Sequence, residues 1–288
     1  MNRLQTDLVY RYAEAERELV RLNGELVKKQ ARLDADLRAA AEIQRALLPM
    51  PLPAFSPVQA AWEFIPSESV GGDIFMVRPL GERYLQVAIL DISGHGVPSA
   101  MVTVSISQAL QPHRGLVMQK NGSGEYRVTP PDNVLDELEL EFPFSRFKKT
   151  FSIVYGILDK ESGEFVFSNA GHPYPILVSG SEKPRYLEEH GAILGMGLGG
   201  SFPATSIFLK PGDRLFFYTD GLTECRNSEK EFFGEGRPID LADTTRNLPL
   251  GDAVKKIHAS AEAFIRECGF QDDFTLLALE YSGKLQAG

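Results

Sequence analysis

The sequence predicts an α+β fold with largely antiparallel sheets behind a long N-terminal helix. Two observations carry this. A series of short runs rich in β-branched or aromatic residues follow one another without regular helix alternation, which argues against a doubly wound parallel sheet. Ahead of them, residues 1–48 contain no proline and a single glycine, Gly24, and repeat apolar residues at helical spacing.

In that first segment Leu8, Tyr12, Ala15, Leu19, Leu22 and Leu26 alternate steps of four and three, the seam of a coiled coil. The seam skips at Gln30 and resumes at Leu33, Leu37, Ala40 and Leu47. A four-residue insertion of this kind is a stutter, which locally unwinds a supercoil. Such a helix either packs on its own domain or pairs with its copy in a homodimer, and its length and upstream position favour the dimer. "LLPMPLPAFSP" then breaks the helix, because proline removes a donor and clashes with the preceding turn. The expected boundary lies near residue 50, giving a coiled-coil and linker segment over 1–48 and a second domain over 50–283.

The strand runs are "VQAAWEFI", "YLQVAILD", "FSIVYGILD", "EFVFSNA", "ATSIFL", "DRLFFYTD" and "TLLALEY", each bounded by Gly, Pro or Asp. Helices are expected from Pro98 to about Leu110, from Asp132 to Glu141 and from Asp252 to Cys268. The first has proline in its opening turn and is apolar nearly all round, so it should be buried. The last carries Val254, Ile257, Ala261 and Ile265 on one face and ends at Gly269. "RGLVMQKNGSGEYRVTP" is polar and glycine-bearing and reads as a loop or flap.

Composition narrows the function. The chain of 288 residues has a formal net charge of −9 and no long basic run, which disfavours nucleic acid and anionic membrane as partners. No stretch reaches the roughly 18 apolar residues of a membrane helix, and the charged N-terminus lacks the apolar core of a secretory signal. Cys225 and Cys268 are far apart and not at metal-ligand spacing, so a reducing cytoplasm fits best.

The chemistry is expected in the carboxylates. "VGGD" ends at Asp73, "AILDISGHG" contains Asp91, "FFYTDG" contains Asp220, and "QDDFT" contains Asp272 and Asp273. An aspartate after a strand ordinarily starts a turn by bonding a nearby N–H. Gathered in one pocket, however, four carboxylates would repel, and several would take up protons unless a hard cation offset them. Oxygen ligands without a Cys/His set point to Mg²⁺ or Mn²⁺ rather than zinc. "GMGLGG" at 195–200 formally matches a dinucleotide fingerprint, but a strand and turn follow it where that site needs a helix.

The ordered set GGD, DISGHG, NAGHP, YTDGLTE and DDFT resembles the metal-dependent PPM (type 2C) serine/threonine protein phosphatases, and within them the SpoIIE/RsbU branch of bacterial signalling. The resemblance covers about residues 40–282, and "AAEIQRALLP" is similar to the linker helix that precedes such domains. It implies an αββα sandwich, two antiparallel sheets face to face flanked by helices, with two Mn²⁺ or Mg²⁺ ions at one edge. By motif position Asp91 would bridge both ions, the backbone carbonyl of Ile92 would join one, Asp220 and Asp272 would hold the other, and Asp73 would bind or support the second. The motif places the ligand at the first acid of "QDDFT", hence Asp272 over Asp273. The implied reaction is hydrolysis of a phosphoserine or phosphothreonine ester by water activated between the ions.

His95 is the candidate for protonating the leaving oxygen, since an imidazole suits that task; alternatively it caps the turn into the Pro98 helix. His172 reads as a turn residue shaping the cleft. Two departures stand out: "IFMV" follows Asp73 where the family often has a Tyr-and-acid pair, and no arginine can be assigned to the substrate phosphate. The implied substrate is a regulatory phosphoprotein such as an anti-sigma-factor antagonist, with a receiver or sensor domain upstream of the helix. A catalytically silent, phosphatase-like binding module is the other reading.

Overall fold

The computed structural model describes residues 3–48, 56–120, 126–197 and 201–283. The chain divides into two compact units, Met1–Ile43 and Gln44–Gly288. The predicted boundary near residue 50 lies outside the described residues.

The first unit is a single helix. Helix α1 runs Arg3–Arg45, with Tyr12, Leu19, Leu22, Leu26 and Leu33 of the seam all exposed. Arg21 bonds Glu25 one turn later at 2.6 Å and Glu18 one turn before, a pattern that gives an isolated helix weak support. The seam does not extend to Leu47. The helix ends at Arg45, and Leu47 and Leu48 pack on the core of the second unit.

The second unit contains β1 (Val58–Ile65), β2 (Ile74–Leu80), β3 (Tyr84–Ile92), α2 (Val97–Ala109), β4 (Met118–Lys120), β5 (Tyr126–Val128), α3 (Pro131–Glu141), α4 (Phe144–Phe147), β6 (Phe151–Asp159), β7 (Glu164–Ala170), β8 (Ile176–Val178), β9 (Arg185–Tyr186), β10 (Thr205–Phe208), β11 (Arg214–Tyr218), α5 (Asp220–Thr223), α6 (Gly236–Thr244), α7 (Leu250–Ile265) and β12 (Phe274–Tyr281). Two five-stranded sheets form, in the orders β1-β12-β11-β8-β9 and β10-β7-β6-β3-β2, with antiparallel pairing throughout.

Strand periodicity sorts the core. In β11 and β12, Leu215, Phe217, Leu277 and Leu279 join one cluster with the second sheet, while the intervening Phe216, Tyr218, Leu276 and Ala278 pack with Val254, Ile257 and Ala261 of α7. Successive side chains point to opposite faces, so each strand feeds a core on both sides. Strand β6 is buried along its whole length, because helix and opposing sheet cover its two faces.

Three sequence expectations change. The predicted flap holds a short hairpin, β4 with β5; its tip, residues 121–125, lies outside the described residues. "IFMV" after Asp73 opens β2, which pairs with β3 from Ile74 to Leu80. The last helix starts at Leu250 and is α-helical only to Ile265, continuing as a 3₁₀ turn over Arg266–Cys268. After "GMG", residues 198–200 lie outside the described residues, and the next described element is strand β10, not the helix whose N-terminus a pyrophosphate site needs.

Candidate metal centre

Asp73, Asp91, Asp220 and Asp272 come from four separate segments, yet the fold brings them to one end of the sandwich. Asp91 lies next to last in β3, Asp220 opens α5 directly after β11, Asp73 precedes β2, and Asp272 precedes β12. Asp91 and Asp220 line one cavity of about 390 Å³, together with Ser152, His172, Tyr174 and Glu224. Asp272 lines a neighbouring cleft with Glu224 and Arg226.

Electrostatics report the crowding. Burial, then Asp220 and Asp272, push the Asp91 carboxyl up to about 7. Burial, then Asp272 and Glu224, push Asp220 up to about 6. Asp73 is raised well above the carboxylate range, first by burial and then by Asp91 and Asp273. The Asp73 and Asp91 carboxyls thus disfavour each other's ionisation, as like charges brought together out of water must.

Each acid is held differently. Asp73 is buried, and its Oδ2 accepts from the hydroxyls of Thr219 at 2.7 Å and Thr275 at 2.6 Å. Asp273 is also buried: its Oδ1 accepts the Ser67 amide at 2.8 Å and hydroxyl at 3.0 Å, and its Oδ2 accepts the Gly72 amide at 2.6 Å. Its carboxylate is thus consumed in folding the "VGGD" loop. Asp272 is exposed and, among the described residues, accepts the next amide alone, at 2.8 Å. The family motif puts the expected ligand at Asp272, but nothing in "DD" itself says which one the Ser67–Asp73 loop will claim. Thr219 and Thr275, the supports of Asp73, were also missed, although each flanks a motif acid.

The backbone around these acids is tightly fitted. A Cβ on Gly72 would sit 2.7 Å from the Ile92 carbonyl oxygen, and one on Gly221 would collide with the Asp273 carbonyl oxygen. Both glycines are therefore required for loop approach. The Ile92 carbonyl lies beside this loop. Gln44 adds a further clamp, its amide donating to Gly71 O at 2.7 Å and accepting the Gly71 amide at 3.1 Å.

His95 stands apart. Its side chain is 72% exposed and its Nδ1 lies 2.9 Å from Glu68 Oε1. It makes no cap to α2, whose N-cap is Gly96 without a side-chain bond. His172 is buried, with Nδ1 2.7 Å from Ser152 Oγ, and burial pushes it down to about 3. Cys225 is buried and its thiol is pushed up to about 11, again by burial, so it is no thiolate nucleophile.

The donor set fits hard cations: oxygens only, with a net negative field. Among the described residues, no three His, Cys, Asp or Glu groups already stand in ligand geometry around one point. The acids converge without forming a closed cage.

The family described as Stage II sporulation protein E (SpoIIE) matches residues 81–282, most of the chain. The chain belongs to the SpoIIE family. Among its relatives, protein IcfG of Synechocystis is 28% identical over 243 residues, 77% of this chain and 38% of IcfG. Phosphoserine phosphatase RsbU of Bacillus subtilis is 26% identical over 257 residues, 87% of this chain and 71% of RsbU. This SpoIIE-family chain thus spans well under half of IcfG. Among solved structures, the SiaA-PP2C domain of Pseudomonas aeruginosa shares the fold with a TM-score of 0.73 at 22% identity, covering 88% of this chain and 98% of that one. The RsbU and RsbW domains of Rv1364c from Mycobacterium tuberculosis match with a TM-score of 0.62 at 29% identity, covering 79% and 61%. The two-sheet sandwich expected from the motifs is therefore the PP2C fold. No helix among the described residues is long and apolar enough to cross a membrane.

Proposed function

We propose that this SpoIIE-family protein is a Mg²⁺- or Mn²⁺-dependent phosphoserine/phosphothreonine protein phosphatase in a bacterial signalling pathway. The observation that carries this reading is the convergence of four motif acids at one end of the sandwich, where burial and then neighbouring carboxylates raise the proton affinity of Asp73, Asp91 and Asp220. Asp91, Asp220 and Asp272, with the Ile92 carbonyl, would hold two ions, and Asp73 would stand behind Asp91 as ligand or support. When bound, such a pair supplies an acidified water and offsets charge on the phosphoryl oxygens.

The chain's own residues do the rest. Thr219 and Thr275 fix Asp73 through its Oδ2, holding its carboxyl beside that of Asp91. Asp273 ties "VGGD" to the start of β12, so Asp73 and Asp272 move as one frame. His172 is neutral at pH 7 and braces Ser152 in the cavity wall. His95, at the rim, is the candidate donor to the leaving oxygen.

The substrate class we propose is a regulatory phosphoprotein such as an anti-sigma-factor antagonist. RsbU and RsbP of Bacillus subtilis are described as phosphoserine phosphatases. Helix α1 would pair with a second copy through its exposed seam and carry a signal from a receiver or sensor domain. A silent binding module with the same fold is the alternative. Hydrolysis of a chromogenic phosphate ester with Mn²⁺ separates them: the intact protein should turn over, and Asp220→Asn should lose on the order of 10²–10³-fold in rate, the scale of one lost electrostatic stabiliser. No turnover of that ester or of any phosphoprotein would favour the binding module.

A further inference from the structure

Among the described residues, no lysine or arginine lines the acid-bearing cavity, yet a phosphate monoester must approach it as an anion. From the geometry we infer that Lys149 is the cation that receives the phosphoryl group, an inference that rests on the phosphatase reading above. Its ammonium donates to the Ser93 carbonyl at 2.7 Å, two residues from Asp91. Gly94, in the left-handed region with φ 78°, has no Cβ there; one would sit 3.0 Å from the ammonium. The strand register leads to the same place. Asp91 pairs with Ser152 and Ile92 with Phe151, so Lys149 lies two residues beyond the last pair, at the end of the ladder where the acids collect.

The side chain is presented by a rigid frame. Lys148 adopts φ 55°, ψ 28°, a left-handed conformation rarely taken by non-glycine residues. The Lys148 amide donates to Phe144 O at 2.8 Å. The Thr150 amide donates to Ser93 Oγ at 3.0 Å, and the Ser93 amide to Thr150 O at 2.9 Å. On the other side Phe151 and Leu194 exchange backbone bonds at 2.9 and 3.1 Å. An ammonium has three donors, and the Ser93 carbonyl accepts one. A half-buried cation fixed in this way can meet a non-bridging phosphoryl oxygen with little reorganisation. Arg226 is placed differently: its guanidinium lies over the Phe232 ring, 4.3 Å from the centroid.

The test compares wild type, Lys149→Met and Lys149→Arg, each with Mg²⁺. Binding of inorganic phosphate is followed by ³¹P NMR line broadening, hydrolysis of a phosphoserine peptide by kcat and KM, and folding by Tm. Lys149→Met should weaken phosphate binding and lower kcat/KM by ~10–100-fold, the scale of one charge-assisted hydrogen bond, and Lys149→Arg should recover part of both. Unchanged phosphate binding in Lys149→Met would overturn the inference. A fall in Tm with phosphate affinity retained would also overturn it, assigning Lys149 to bracing Ser93 alone. If wild type binds phosphate but turns nothing over, the phosphatase reading fails, and the binding comparison still decides the role of Lys149.

Discussion

Helix α1 and the acid end of the sandwich depart from ordinary burial in opposite directions. In α1 the leucines are outside: Leu19 is 68% exposed and Leu26 65%. In the sandwich the acids are inside: Asp73 is 2% exposed and Asp273 4%. Each departure costs free energy in the isolated chain, so each specifies the class of partner that removes the cost. Exposed apolar residues at heptad spacing call for a second helix, whereas crowded buried carboxylates call for protons, hydroxyls or a cation. Asp273 shows the difference within the acid set, because backbone and side-chain donors satisfy it.

The largest expected effect breaks the helix side of this contrast. Leu19→Glu with Leu26→Glu places four charges in a paired seam, removing about 2 kcal/mol of burial per leucine. Sedimentation should shift from dimer to monomer while the sandwich's thermal transition stays in place; a dimer that persists would remove α1 from the assembly. On the acid side, Gly221→Ala should destabilise the fold by about 1–3 kcal/mol, since its methyl meets the Asp273 carbonyl and the loop must shift. Chemical denaturation measures it, and an unchanged midpoint would show that this loop is not tightly fitted.

A gentler probe sharpens the comparison through pH. The folded-state values of Asp91 and Asp220, about 7 and about 6, lie above the ordinary 3.8. Between these limits the unfolded chain releases protons that the folded one retains, so stability falls as pH rises from about 4 to 7. In chelator, Tm should therefore drop across this window, and Mg²⁺ or Mn²⁺ should restore most at the alkaline end. A metal increment independent of pH would show that the acids do not govern ion binding. The smallest effect belongs to Arg21→Ala on α1, which removes the exposed pairs with Glu18 and Glu25 and should show as slightly reduced helicity of the isolated segment; unchanged helicity would show that the pairs contribute nothing.

Much of this was legible in the residue order. β1, β6 and β7 begin and end where their apolar runs do, because β-branched and aromatic runs closed by Gly, Asp or Pro leave the backbone few alternatives. The acids Asp73, Asp91 and Asp220 stood out by repetition beside glycines, and Asp272 by its place in "QDDFT". Less legible were β2, whose "IFMV" carries no alternation because both faces are buried, and the hairpin inside the polar 114–130 segment, whose strands are three residues each.

The linear chain by itself determined element type, the heptad seam, the order of the acid motifs and the family they mark, since each depends on neighbours within a few residues. Only the tertiary structure decided that Asp273 closes the Ser67–Asp73 loop while Asp272 faces the cleft, that Leu47 belongs to the core, and that Lys149 rests on the Asp91–Gly94 turn. The Lys149 and Asp273 contacts join residues 56 and 206 positions apart. Two adjacent aspartates share almost every local property, and which one is buried is settled only by the loop that reaches it.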